Sequence, residues 1–331
     1  MTAVHTHTSS PGPTGSTSGS TQTPGAIAAR GTVARSAARA RLDRFLARRR
    51  PAERDLTQID SLLDLSSGLW PWLAGANVVM QLTNPGVGHG VVESRVETGR
   101  VDRHPIKRAR TTALYLAVAT LGNADDRQFM HEEVKRIHDE VFSTSDSPVR
   151  YSGNSQKLQL WVALCLIRFF VDQFELLYRP LSAAEREHVL ELGEPLATVL
   201  NVRPEAWPAT WDEYERVFAE GMEEATIDEP VRAMLDDLCE FGPLDGRLAG
   251  SGSLLHRTVG PVHHSYTRFG VPGRAREKMG WEITPSDLRR KRRIHTVARG
   301  CDRVIPTPLR RLYTVALWDM RARRALGIDV F

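Results

Sequence analysis

The sequence predicts an all-α fold: a single helical domain behind a disordered N-terminal tail. Three observations predict it. Apolar residues recur at three-then-four spacing over most of the chain, helix-capping sequences open one segment after another, and long runs of alternating strand pattern are absent. The 331 residues suffice for a core of ample size, and a hydrophobic content of 41% with 25% charged residues is that of an ordinary globular chain.

Residues 1–26 are Ser/Thr/Gly/Pro-rich low-complexity sequence, too poor in apolar side chains to order itself, and His5 and His7 fall in it. Residues 27–74 are expected to form a helical extension and residues 75–331 the main domain. Within that domain "KRARTTALYLAVATLG" reads as a buried helix stopped by Gly122. Its successor starts near Asp125 and carries "EEVKRIHDEVF", read as helix throughout. "SQKLQLWVALCLIRFFVDQFELLYRP" is a long helix ended by Pro180. Ser182-Ala183-Ala184-Glu185 and Thr210-Trp211-Asp212-Glu213 are capping boxes, and Thr284-Pro285 and Thr307-Pro308 set an N-cap hydroxyl before a proline at the first helical position.

Composition excludes several classes. Cys165, Cys239 and Cys301 lie far apart with no CxxC, which points to a reducing compartment, no disulfide framework and no c-type haem. "LWVALCLIRFFV" is broken by Arg168 and too short to cross a bilayer, and the first residues lack the apolar stretch of a secretory signal, so a cytoplasmic protein is expected. The net charge of +4 is concentrated in "ARGTVARSAARARLDRFLARRR" and "LRRKRRIHTVARG". The run Arg289 to Arg293 lacks interleaved aromatics and any helix-turn-helix, so it reads as a solvated helix face, with no nucleic-acid partner expected. No Gly-rich phosphate loop, HExxH or GxSxG occurs.

Two helices hold residues of chemical interest. His138 shares an apolar stripe with Val134, Ile137 and Val141. A core histidine bonded to a carbonyl would explain it, and so would an axial ligand of haem iron; His131, one heptad earlier, faces almost the same way. On the preceding helix Arg108, Thr111, Thr112 and Tyr115 fall at i, i+3, i+4 and i+7, making one face polar. That face is either a helix start with threonines bonded back to carbonyls or a set of donors around a buried polar ligand. His256, His263 and His264 cluster in "HRTVGPVHHSYTRFGVPG", read as a broken loop with an incidental histidine cluster rather than a metal site.

Taken in order, the segments resemble the MpaB-like oxygenase family, which includes the catalytic domain of the latex-clearing proteins. "MQLTNPGVGHGVVES" is similar to its opening block through Pro85 and Ser94, and "HPIKRARTTALYLAVATLG" to its second through Pro105, Arg108, Thr112 and Tyr115. "VKRIHDEVF" is similar to the third, centred on His138, and "YSGNSQKLQLWVALCL" to a fourth, with Tyr151 and Trp161. The likeness continues through "RPLSAAERE", "WPATWDEYE" and "IPTPLRRLY", covering roughly residues 75 to 320.

The resemblance implies a globin-like helical fold around non-covalent haem b. It implies His138, not His131, as the proximal iron ligand, and the helix of Arg108, Thr112 and Tyr115 on the distal side of the cofactor. Glu93 matches a carboxylate thought to serve as base in the rubber-cleaving branch. Characterised members cleave isoprenoid double bonds with dioxygen. Three departures stand out. Thr111 replaces the lysine of the rubber-cleaving branch, Ala163 replaces a histidine, and Glu93-Ser94 is one residue short of the usual spacing. The expectation is a haem b-dependent oxygenase acting with dioxygen on a hydrophobic, unsaturated, isoprenoid-like small molecule, Arg108, Thr111 and Thr112 polarising the oxygen and Glu93 serving as base. The alternative is a haem carrier or sensor without oxygenase chemistry.

Overall fold

In the computed structural model, the structure describes residues 51–67, 72–96, 100–305, 308–328 and 330. The expected tail at 1–26, most of the expected 27–74 extension and the Thr307 cap lie outside the described residues. Thirteen α-helices fill the described part: α1 (Ala74–Leu82), α2 (Pro85–Val92), α3 (Pro105–Leu121), α4 (Ala124–His138), α5 (Gln156–Leu177), α6 (Ala183–Thr198) and α7 (Trp211–Glu223), then α8 (Glu229–Cys239), α9 (Ser251–Thr258), α10 (Gly260–Thr267), α11 (Gly273–Met279), α12 (Pro285–Val304) and α13 (Pro308–Ala325). Among the described residues the only β-pairing is one antiparallel bridge, Phe142 with Ser152. The all-α expectation is therefore met.

The core is built around α5. Trp161, Leu164, Ile167, Phe170, Val171, Phe174 and Leu177 are buried on it, because α1, α6, α7 and the turn Leu62–Leu65 enclose this helix. Close approach needs a small residue: a Cβ on Gly193 of α6 would fall 1.9 Å from Ile167 Cδ1. Ser182 and Thr284 close full capping boxes with Glu185 and Asp287. The Thr210 box is half formed, since Thr210 accepts from the Glu213 N–H while the Glu213 carboxylate reaches back to the Ala209 N–H.

Two local expectations are corrected. The helix of "EEVKRIHDEVF" stops at His138, because the chain folds back: the Gly153 N–H donates to the Val141 carbonyl (2.7 Å) and the Ser143 N–H to the Tyr151 carbonyl (3.0 Å). The segment 256–273 is not a loop but mostly two helices, α9 and α10, joined at Gly260-Pro261, where a proline at the start of a helix costs no hydrogen bond.

α13 locks the region that carries the candidate residues. It packs along α3, its Arg321 pairs with Asp126 (2.6 Å) at the start of α4, and its Arg310 pairs with Asp60 (2.6 Å) and Asp64 (2.5 Å). Asn123 and Asp126 form the capping box that opens α4.

Candidate functional site

His138 closes α4 and is gripped from behind. Gly153 sits against it so tightly that a Cβ there would lie 2.9 Å from the His138 carbonyl oxygen and 3.1 Å from its Cβ. The buried Gln159 of α5 donates from Nε2 to His138 Nδ1 (3.1 Å) and to the Gly153 carbonyl (2.7 Å), while its Oε1 accepts the Asn201 N–H. Burial, and secondarily the charge of Arg108, push the imidazole down to about 4 against a small opposing effect of Asp139. At neutral pH the ring is uncharged, and its Nδ1 lone pair accepts from Gln159.

Arg108 shares that electrostatic space. Its surface and that of Thr112 are open, yet burial lowers the Arg108 guanidinium below its ordinary value. Protein packed around the base of the side chain is the physical cause of that shift. No hydrogen bond or ion pair to the guanidinium is formed among the described residues. A desolvated cation without an acid partner is costly, so Arg108 suits a ligand that carries negative charge.

The remaining residues of this face are committed. The Thr111 and Thr112 hydroxyls donate to the Arg108 carbonyl at 3.0 and 2.9 Å, the back-bonded alternative weighed from sequence. The Tyr115 hydroxyl donates to the Leu196 carbonyl, tying α3 to α6. His131 donates from Nδ1 to the Leu200 carbonyl (2.9 Å). The cavity beside it, about 220 Å³ lined by Arg127, Gln128 and Thr198, is below the roughly 300–1,000 Å³ typical of sites for drug-sized ligands.

Glu93 lies at the end of α2 in a network of its own. Its Oε2 accepts from Ser147 (2.5 Å) and Tyr151 (2.9 Å), and its Oε1 lies 2.7 Å from His89 Nδ1. Burial works to raise the carboxyl, but these hydrogen bonds outweigh it and hold Glu93 below its ordinary value. His89 Nε2 is in turn 2.7 Å from Asp228 Oδ2, so both ring nitrogens of this buried histidine are taken and none is left for a metal. Ser147 and Tyr151 belong to the hairpin that also supplies Gly153, so the Glu93 network and His138 share one support.

Sequence reasoning missed Gln159, Gly153, Ser147 and Asp228. Gln159 carried a usable signal, a buried amide on an otherwise apolar helix. The clustered histidines bond elsewhere: His256 Nδ1 to the Glu240 carbonyl, His263 Nδ1 to the Cys239 carbonyl and His264 Nδ1 to the Glu240 carboxylate. Arg289, Arg292 and Arg293 are exposed on α12, the solvated face that was expected.

Comparison with known families settles the kinship. A family profile described as ER-bound oxygenase mpaB/B'/rubber oxygenase, catalytic domain, matches residues 65–300, a span that includes Glu93, Arg108 and His138. The chain belongs to this mpaB/rubber oxygenase family. Two uncharacterized proteins, from Mycobacterium bovis and Mycobacterium tuberculosis, are each 40% identical to it over 259 residues, 77% of this chain and 98% of theirs. No solved structure matches at a significant level. The chain thus carries the catalytic domain of an oxygenase family, and a general oxygenase role follows. Among the described residues no helix is long and apolar enough to cross a membrane, although the profile's description includes ER-bound proteins.

Proposed function

We propose that the protein is a haem b-dependent oxygenase, acting in the cytoplasm on a hydrophobic, unsaturated, isoprenoid-like small molecule. The observation that carries the reading is His138, gripped by Gly153 and Gln159 and depressed by burial and by the charge of Arg108, a guanidinium with no hydrogen bond or ion pair among the described residues. This donor set fits haem b: a neutral imidazole is an iron ligand and an unpaired guanidinium takes an anionic oxygen or a propionate. His138 would hold the cofactor, and Arg108, Thr112 and Tyr115 would line its other side. Bound there, the haem would supply dioxygen activation.

The protein's own groups divide the remaining work. Arg108 binds and orients negative charge, gaining strength from the exclusion of water. Thr111 and Thr112 offer hydroxyl lone pairs while their O–H groups donate to the Arg108 carbonyl, and donate elsewhere only by giving up that bond. Glu93, held ionised by Ser147, His89 and Tyr151, is the group able to take a proton at its carboxylate.

The absorption spectrum of the purified protein tests the reading. A strong Soret band is expected, lost in His138→Ala and kept in His131→Ala, and a fully folded, active, haem-free protein would sink it. The committed threonine hydroxyls favour one second reading, a haem carrier or sensor. Such a protein would bind haem without consuming oxygen in the presence of alkene substrates.

A further inference from the structure

Arg127 of α4 stands apart from other arginines whose Nε is buried without a hydrogen bond. Arg54, Arg186, Arg232 and Arg268 satisfy their guanidinium through a terminal nitrogen. Arg127 makes no hydrogen bond or ion pair among the described residues. Asp126, its neighbour in sequence, is spent on Arg321 (2.6 Å), and Glu194 of α6 acts on Arg127 only as a nearby charge. Burial lowers the guanidinium below its ordinary value in spite of both acids. An unpaired, partly buried cation is costly, and a buried polar group left unsatisfied in a native fold often marks a missing water or ion.

Arg127 borders a cavity. With Gln128, His131 and Thr198 it lines a recess of about 220 Å³ between α4 and the end of α6. That is the liquid volume of about seven waters, enough for a small ion and too little for a drug-sized ligand. The other polar groups on the wall offer acceptors. His131 donates Nδ1–H to the Leu200 carbonyl (2.9 Å), so the lone pair of the neutral ring is on Nε2, which has no partner among the described residues. Gln128 gives an N–H to Glu132 (2.7 Å), which leaves its carbonyl oxygen open.

We propose that this cavity binds a small oxyanion that carries a hydrogen of its own, such as hydrogen phosphate or a hydroxy acid. Arg127 meets the negative oxygens, and His131 Nε2 accepts the anion's O–H. A metal cation is repelled by Arg127, and a neutral molecule leaves the guanidinium unpaired. An anion without a hydrogen, such as sulfate, sets an oxygen lone pair against the lone pair of Nε2. Phosphate keeps a hydrogen near neutral pH, and a hydroxy acid carries one on carbon-bound oxygen, so both satisfy the two groups together. The inference does not rest on the haem reading.

The test is isothermal titration calorimetry of the full-length protein with two matched pairs of anions, phosphate against sulfate and lactate against acetate. Phosphate or lactate should bind at millimolar concentration or below, about tenfold more tightly than its hydrogen-free counterpart. Whichever of the two binds more tightly names the source of the ligand. Arg127→Gln should weaken that binding at least about tenfold and melt no lower than wild type, since Arg127 has no hydrogen bond to lose. His131→Ala should lose the preference for the hydrogen-bearing anion. Binding unchanged in Arg127→Gln assigns the anion to other basic residues and overturns the proposal. So does equal affinity within both pairs, or no binding of any of the four at millimolar concentration. A double-mutant cycle of Arg127→Gln with Glu194→Gln that shows coupled stability without anion also overturns it, because Glu194 is then the partner of Arg127.

Discussion

Gly153→Ala tests the support of His138 most directly, because two effects oppose each other and the structure decides the winner. Gly153 has no positive φ, so its backbone suits any residue. Alanine there should stabilise by about 0.4–1 kcal/mol through the unfolded chain alone. Against this, the new Cβ would stand 2.9 Å from the His138 oxygen, 2.9 Å from Val141 Cβ and 3.1 Å from His138 Cβ. Two of these belong to α4 and its fixed backbone, and the hydrogen bonds of Gly153 to Val141 and Gln159 prevent retreat. Overpacking of this kind costs about 1–3 kcal/mol, so a net loss of about 1–2 kcal/mol is expected. Urea unfolding should show a lower midpoint at unchanged slope, and the folded variant should lose haem faster. Gly90→Ala in α2 is the control. Its Cβ meets only Tyr151 at 3.6 Å and Val141 at 3.8 Å, so helix propensity should make it neutral or stabilising by up to about 1 kcal/mol. If Gly153→Ala were as stable as Gly90→Ala and held haem like wild type, the proposed grip on His138 would be wrong.

Other outcomes follow from the same geometry. His138 is held near 4 in the folded protein, below its unfolded value of about 6.5, so the unfolded chain takes up the proton first as pH falls. Haem-free protein should therefore lose up to about 3 kcal/mol between pH 6.5 and 4 and show no such slope above pH 7. His295 is also held near 4, so the wild type minus His138→Asn difference isolates this contribution in urea titrations across pH. Arg108→Leu should raise the melting temperature of the haem-free protein, since it removes a desolvated cation with no partner, while weakening haem retention; a lower melting temperature would refute that account of Arg108. Asp228→Asn keeps a good cap for α8 but removes one charge-assisted bond to His89, and should cost about 1.5 kcal/mol in chemical denaturation.

What was legible in the sequence was local. The box at Ser182 and the N-cap at Thr284 need only residues close in sequence, and they formed, while the box expected at Thr210 formed by half. The polar face of α3 and the odd histidine of α4 were visible as breaks in apolar periodicity. The end of α4 was not visible, because it is imposed by Gly153, fifteen positions after His138, through a hydrogen bond to Val141. The His89–Glu93 contact follows from i,i+4 helix geometry, whereas the second partner, Asp228, lies 139 residues on and is brought by the packing of α8 on α2. Gly260-Pro261 misled because the same dipeptide that breaks a loop also starts a helix.

Gln159 adds a constraint that the resemblance alone does not carry. Its amide has one workable orientation: Oε1 must meet the Asn201 N–H and Nε2 the Gly153 carbonyl, and a flip would oppose donor to donor and acceptor to acceptor. Nε2 therefore faces His138 Nδ1, which accepts, and the proton of the neutral ring sits on the other nitrogen. A metal-binding histidine usually has the reverse arrangement, with its second N–H donated to an acceptor. A His138 that binds iron through Nε2 must surrender that proton, and an Nδ1–H then needs a partner other than an N–H. Gln159 Nε2 has two hydrogens and three neighbours, with Asn154 Oδ1 at 3.5 Å as the third. Both hydrogens lie fixed in the amide plane, so freeing Nδ1 requires the whole Gln159 side chain to rotate. The hairpin that ends α4 thus does more than hold the ring in place: through Gln159 it also biases the ring's tautomer.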